Sequence, residues 1–110
     1  MSRGLAFVTT CMGRLSHLRQ SLPLLASQPE ADCIVVDYSC PEHSGEWALA
    51  NLPRTRVVRV EGESCFNLAR ARNAGAAACD ADWICFIDAD VLIQPSFSAE
   101  IAGLLRPGAF

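Results

Sequence analysis

Residues 83–91, WICFIDADV, place two carboxylates, Asp88 and Asp90, at the exit of an apolar run that reads as a buried strand. Carboxylates are hard oxygen ligands, and sites for Mg²⁺ or Mn²⁺ commonly take one or two of them together with substrate phosphate oxygens. Residues two apart in an extended segment point to the same side, so this pair can share one ion or its water shell. Such an ion neutralises a diphosphate and the charge that grows on a diphosphate leaving group. The competing reading is a strand end whose acids are only solvated, since D-x-D by itself arises often by chance. Other residues capable of chemistry also follow apolar runs: Thr9, Thr10 and Cys11 after the first, Asp37, Tyr38 and Ser39 after the second, and Glu61 and Glu63 after the third.

Four short runs must position these residues: 5–9, 33–37, 56–60 and 83–88. They are continuously apolar rather than alternating, as strands buried on both faces are, and Pro, Gly, Asp or Ser bound them. Helical spacing fills the gaps. Leu15, Leu18, Leu22 and Leu25 form one face of a first helix, which Pro23 is expected to kink or shorten. A second helix follows at SGEWALANL with Ser44 as its N-cap, and a third spans FNLARARNAGAAACD. The third carries a narrow stripe of Leu68, Ala71, Ala74 or Gly75, and Ala78, whose small side chains suit close packing on a sheet. A fourth, SFSAEIAGLLR, is capped by Ser96 and stopped by Pro107-Gly108. The β-α-β-α-β-α-β-α order predicts an α/β fold, a Rossmann-like parallel sheet of four strands flanked by helices. With spatial order 3-2-1-4, Thr9, Asp37 and Asp90 converge at the topological switch point, where such sheets bind ligands.

Composition narrows the function. A chain of 110 residues holds one domain, and 51% apolar with 19% charged residues is a globular composition. The net charge of -3 carries no nucleic-acid footprint. All nine cations are arginines, which removes any lysine nucleophile, Schiff base or P-loop lysine. The single glycine in TTCMGRLSHL rules out the G-x-G-x-x-G dinucleotide fingerprint. No run reaches a membrane span and none forms a signal peptide, so the expected location is cytoplasmic, with a peripheral place on the inner membrane face as the variant of that reading. The six cysteines lack a C-x-x-C pair and the two histidines stand outside any regular metal spacing, so the cysteines are expected as free, mostly buried thiols. His17 and His43 are expected at the surface, Trp47 and Trp83 in the core, and Glu61 and Glu63 in a solvated loop.

The segments LAFVTTCMGRLSHLRQSLP, CIVVDYSCPEHSGEW and ARARNAGAAACDADWICFIDADV together resemble the N-terminal half of a family 2, GT-A-type glycosyltransferase. The resemblance implies a nucleotide-sugar donor, a UDP-sugar first of all, and an acceptor hydroxyl on a glycan or another molecule. It implies that Thr9, Thr10 and Cys11 border the nucleobase and that Asp37 binds base or ribose. Arg72 and Asn73 lie near the nucleotide or brace the metal loop. By the same resemblance Asp90 is expected to hold Mn²⁺ or Mg²⁺, with Asp88 on the ion, its water or the ribose. Tyr38 stands where the family commonly has a second acid. Family catalytic domains are about twice as long, so residues 1–110 are expected to be a truncated donor-binding half, with the catalytic base in the missing half. The alternatives are a nucleotide-binding fragment without activity and, further off, a nucleotidyltransferase, whose Gly-rich, Arg-containing first loop is missing from TTCMGRL. A donor half alone leaves the fourth strand as an uncovered edge, open to self-association.

Overall fold

The computed structural model describes residues 4–29 and 31–105. Its elements alternate as β1 (Leu5–Cys11), α1 (Leu15–Ala26), β2 (Ala31–Tyr38), α2 (Ser44–Asn51), β3 (Arg56–Val60), α3 (Leu68–Ala77), β4 (Trp83–Phe86) and α4 (Phe97–Ala102). The four strands form one parallel sheet, as the alternation of runs predicts, and they lie in the expected order β3-β2-β1-β4.

Period-two alternation sorts the strand side chains onto two covered faces. Leu5, Phe7 and Cys11 of β1 join Cys33 and Val35 of β2 and pack on Leu18, Leu22 and Leu25 of α1, Ala48 of α2 and Phe97 of α4. Val8, Ile34, Val36 and Tyr38 face the other way, onto Ala71 of α3. Both faces are covered, which is why the central strands read as unbroken apolar runs. Trp47 and Trp83 pack against the first cluster, as expected. Gly75 sits where α3 meets the sheet, and a Cβ there would lie 2.5 Å from Val8 Cγ1 and 3.0 Å from Val36 Cγ2.

The boundaries differ in ways that matter for the site. β1 runs on to Cys11, because Thr9, Thr10 and Cys11 still pair with Val35, Val36 and Asp37 of β2. β2 likewise starts earlier, at Ala31, and takes in Tyr38. β4 stops at Phe86, and its ladder closes with the Ile87 amide donating to the Val8 carbonyl at 3.0 Å. Pro23 lies inside α1, which continues through Ala26. Leu22 and Leu25, fully buried on either side of it, hold the helix together there. α2 begins at Ser44 itself, after His43 in a left-handed conformation (φ 55°). The Ser44 side chain is buried beside the Cys11 and Cys40 thiols and does not cap the helix. Ser96 bonds the Glu100 carboxylate at 2.6 Å and gives α4 no side-chain cap. α4 ends at Ala102, before the expected stop at Pro107-Gly108, which lies outside the described residues.

Candidate functional site

Three connections meet at the carboxyl end of the sheet around a cavity of about 370 Å³. The end of β1 and its connection into α1 contribute Thr10, Met12, Arg14 and His17, the approach to α3 and its first residue contribute Phe66 and Leu68, and the turn after β4 contributes Asp88, Ala89 and Asp90. This is the end of a parallel sheet at which ligands bind. The β1–α1 connection is tied to the β2–α2 loop. The Gly13 amide donates to Cys40 Sγ at 3.3 Å, and the Leu15 amide donates to Glu42 Oε1 at 3.0 Å.

Asp88 and Asp90 are both exposed at the cavity. They lie not in an extended strand but at a turn, in which the Val91 amide donates to the Asp88 carbonyl at 3.1 Å. Their shared environment therefore comes from the turn and not from strand alternation. Arg72 of α3 reaches Asp88 Oδ1 at 3.6 Å, and its guanidinium lies 5.1 Å from the centroid of the Phe86 ring. One arginine thus touches the strand end through its ring and the turn through its first carboxylate. Asn73 is exposed on α3 and does not line the cavity. No group of three His, Cys, Asp or Glu side chains able to hold a metal occurs among the described residues. Two hard carboxylates fit Mg²⁺ or Mn²⁺ only as a partial set, whose remaining positions fall to water and phosphate oxygens.

Asp37 is engaged within the protein. Its Oδ1 accepts from the Cys40 amide at 3.0 Å, and its Oδ2 accepts from the Gly45 amide at 2.9 Å and pairs with Arg59 at 2.8 Å. The carboxylate is buried and does the capping of α2 that Ser44 does not. A Cβ on Gly45 would stand 2.7 Å from Asp37 Oδ2, so only glycine admits this approach. Strand parity explains the separation from the cavity. Asp37 faces α2, whereas Thr10, one residue before its register partner Cys11, turns to the other face. Thr9 and Cys11 are buried and do not line the cavity either, so of the three β1 residues only Thr10 does.

A second polar cluster braces the Phe66 wall. The buried Tyr38 hydroxyl donates to Glu63 Oε1 at 2.5 Å, Arg70 pairs with Glu63 Oε2 at 3.1 Å, and the Glu63 amide donates to the Ser39 hydroxyl at 2.9 Å. The Tyr38 bond, with Arg70 adding its charge, holds the Glu63 carboxyl below its ordinary value. Phe66 packs edge-on against Tyr38 with centroids 5.4 Å apart. Glu63 is therefore no solvated loop acid, whereas Glu61 is exposed and pairs with Arg59. Met12, Arg14, His17, Phe66 and Leu68 were not singled out by sequence for this site. Their signal was positional, since all lie in the connections that lead from a strand's carboxyl end into the first turn of the next helix.

The six cysteines are free; Cys11, Cys33 and Cys40 are buried, Cys79 and Cys85 partly so, and Cys65 is exposed. No helix among the described residues is long and apolar enough to cross a membrane.

Comparison with known proteins places these features in context. The description of glycosyl transferase family 2 matches residues 7–108. No curated protein matches the sequence. Among solved structures, the chain is similar to S. aureus TarS 1-349 in complex with UDP, with TM-score 0.80 and 17% identity over 92% of this chain and 31% of that one. The same protein in complex with UDP-GlcNAc gives TM-score 0.79 and 18% identity, covering 92% and 30%. The mannosyltransferase PcManGT from Pyrobaculum calidifontis, in complex with GDP-Man and Mn²⁺, gives TM-score 0.77 and 16% identity, covering 94% and 32%. At these identities the likeness is one of fold, and the chain spans about a third of the length of each structure.

Proposed function

The chain belongs to glycosyl transferase family 2, and on that premise we propose that it supplies the nucleotide-sugar-binding part of a glycosyl transfer to an acceptor hydroxyl. The observation that carries this reading is the cavity at the sheet's carboxyl end, where Asp88 and Asp90 share a lining with Thr10 and the apolar Met12, Phe66 and Leu68. The structural relatives bound to UDP, UDP-GlcNAc and GDP-Man support a nucleotide diphosphate sugar as the ligand, and a UDP-sugar is the first candidate.

Asp90 and Asp88 are the residues to hold Mn²⁺ or Mg²⁺. When bound, such an ion supplies positive charge to the diphosphate and to the leaving group. Arg72 keeps the turn and its first carboxylate beside the strand end. Thr10 offers a hydroxyl to the nucleotide, and Phe66 and Leu68 offer it an apolar wall. Asp37 acts from beneath, fixing the Cys40 loop that in turn holds Gly13. Thr9, Cys11 and Asn73 then shape the surroundings of the ligand more than its contacts. No residue of the chain is assigned as the base that deprotonates the acceptor. Six unpaired thiols fit a reducing compartment such as the cytoplasm.

Titrating UDP-GlcNAc and UDP into the protein with and without Mn²⁺ tests the proposal. Metal-dependent binding is expected, and Asp90→Ala should reduce it at least about tenfold by removing one ionic ligand. Equal binding with and without metal, or by wild type and variant alike, removes the metal role. No binding under any condition reduces the chain to a structural piece of its family.

A further inference from the structure

The cavity has a second polar side, for which the carboxylates do not account. Arg14, at the N-cap of α1, and His17, in the first turn of that helix, line it from the β1–α1 connection. Arg14 is exposed at the cavity, and no hydrogen bond or ion pair of its side chain occurs among the described residues. The Nδ1 atom of His17 is buried without a hydrogen-bond partner. A proton there would be a buried donor with nothing to bond, so in the neutral ring the proton belongs on Nε2. The ring then has one useful donor, Nε2–H.

These donors answer a need that the rest of the lining leaves open. A diphosphate carries more anionic oxygens than one divalent ion takes up, and Asp88 and Asp90 repel those that the ion does not cover. Met12, Phe66 and Leu68 offer no side-chain donors, and Thr10 offers one hydroxyl. A guanidinium fork matches phosphate oxygens bidentately, and an imidazole N–H adds a single directed bond. We propose that Arg14 and His17 are diphosphate-binding residues, holding from the α1 side of the cavity the oxygens that an ion at Asp88 and Asp90 leaves uncovered. The inference rests on the donor-binding reading above and assigns to the first turn of α1 the part that the D-x-D turn cannot play.

Calorimetric titration of the chain with UDP and with uridine, both in the presence of Mn²⁺, tests it. Arg14→Gln and His17→Phe should each weaken UDP binding about tenfold and leave uridine binding unchanged. His17→Gln, whose amide N–H stands near the position of Nε2, should recover most of the loss. UDP affinity unchanged in Arg14→Gln and His17→Phe overturns the proposal. So does a parallel loss of UDP and uridine binding, which marks a scaffold effect. Asp90→Ala in the same series separates the two readings. If it alone abolishes the Mn²⁺-dependent gain, the donor site stands and the α1 assignment falls. If the wild type binds no UDP, both fall.

Discussion

Asp37 and Tyr38 are neighbours on β2 and face opposite sides of the sheet, and each ties a loop of the site to the strand ends. Asp37 holds the Cys40 loop and the first turn of α2, and Tyr38 holds Glu63 beneath Phe66. Both are polar groups fully removed from water, and both are satisfied, which is the condition for keeping them there. The buried acids on these strands also set how stability depends on pH. Burial pushes the Cys11 thiol from 9.0 to about 11, and burial with the nearby Asp32 charge pushes Cys33 to about 12. The Tyr38 hydroxyl is raised as well, by burial first and then by its bond to the Glu63 carboxylate. Each group holds its proton more tightly folded than unfolded, so the unfolded chain loses protons first as pH rises. Their contribution is full below about pH 9 and drains away toward about pH 11–12. Urea unfolding at about pH 8 and about pH 10.5 should show a clearly lower midpoint at the higher value. An unchanged midpoint would mean that these groups titrate normally. Tyr38 is the only tyrosine in the chain, so its ultraviolet ionisation signal reports one site in the same experiment.

At the scale of elements, the runs and helical spacings located every strand and helix, because burial on both faces leaves a continuous apolar signature; the order of the sheet came with the family resemblance, since no local pattern says which strands are neighbours. Ends were harder to read, because neighbours set them. Cys11 belongs to β1 only because Asp37 is paired opposite it. Asp88 and Asp90 left the strand because β4 pairs with β1 alone and its last rung is at Ile87. The position of the acids at the mouth was legible from the strand pattern; their turn was not, since a turn depends on where the chain goes next. Asp37 was legible as a residue of the sheet mouth, but its internal partners, Gly45 and Arg59, come from elements that no local pattern joins. The small-residue stripe of α3 was read directly, and it makes a sharp prediction. Gly75→Ala places a methyl 2.5 Å from Val8 Cγ1 in a packed layer, which outweighs the gain in helix propensity. The variant should lose about 1–3 kcal/mol in denaturant unfolding. A gain in stability would show that α3 can lift from the sheet without loss.

The sheet has two edge strands of different character. β3 pairs only with β2 and carries two arginines, Arg56 and Arg59, in five residues, whereas β4 pairs with β1 and with no further strand among the described residues. Phe86 at the end of that edge is 37% exposed, and Val91 and Leu92 just beyond it are 41% and 59% exposed. An open strand edge next to apolar side chains is a template for pairing with another copy. The site lies at the carboxyl end of this same strand, so whatever covers the edge also bears on the D-x-D turn. Sedimentation velocity from low to high protein concentration should show reversible self-association. Phe86→Glu should shift it toward monomer, because the new carboxylate charges the edge while remaining within reach of Arg72. A wild-type chain that stays monomeric at the highest concentration tested would show that β4, only four residues long, is protected without a partner.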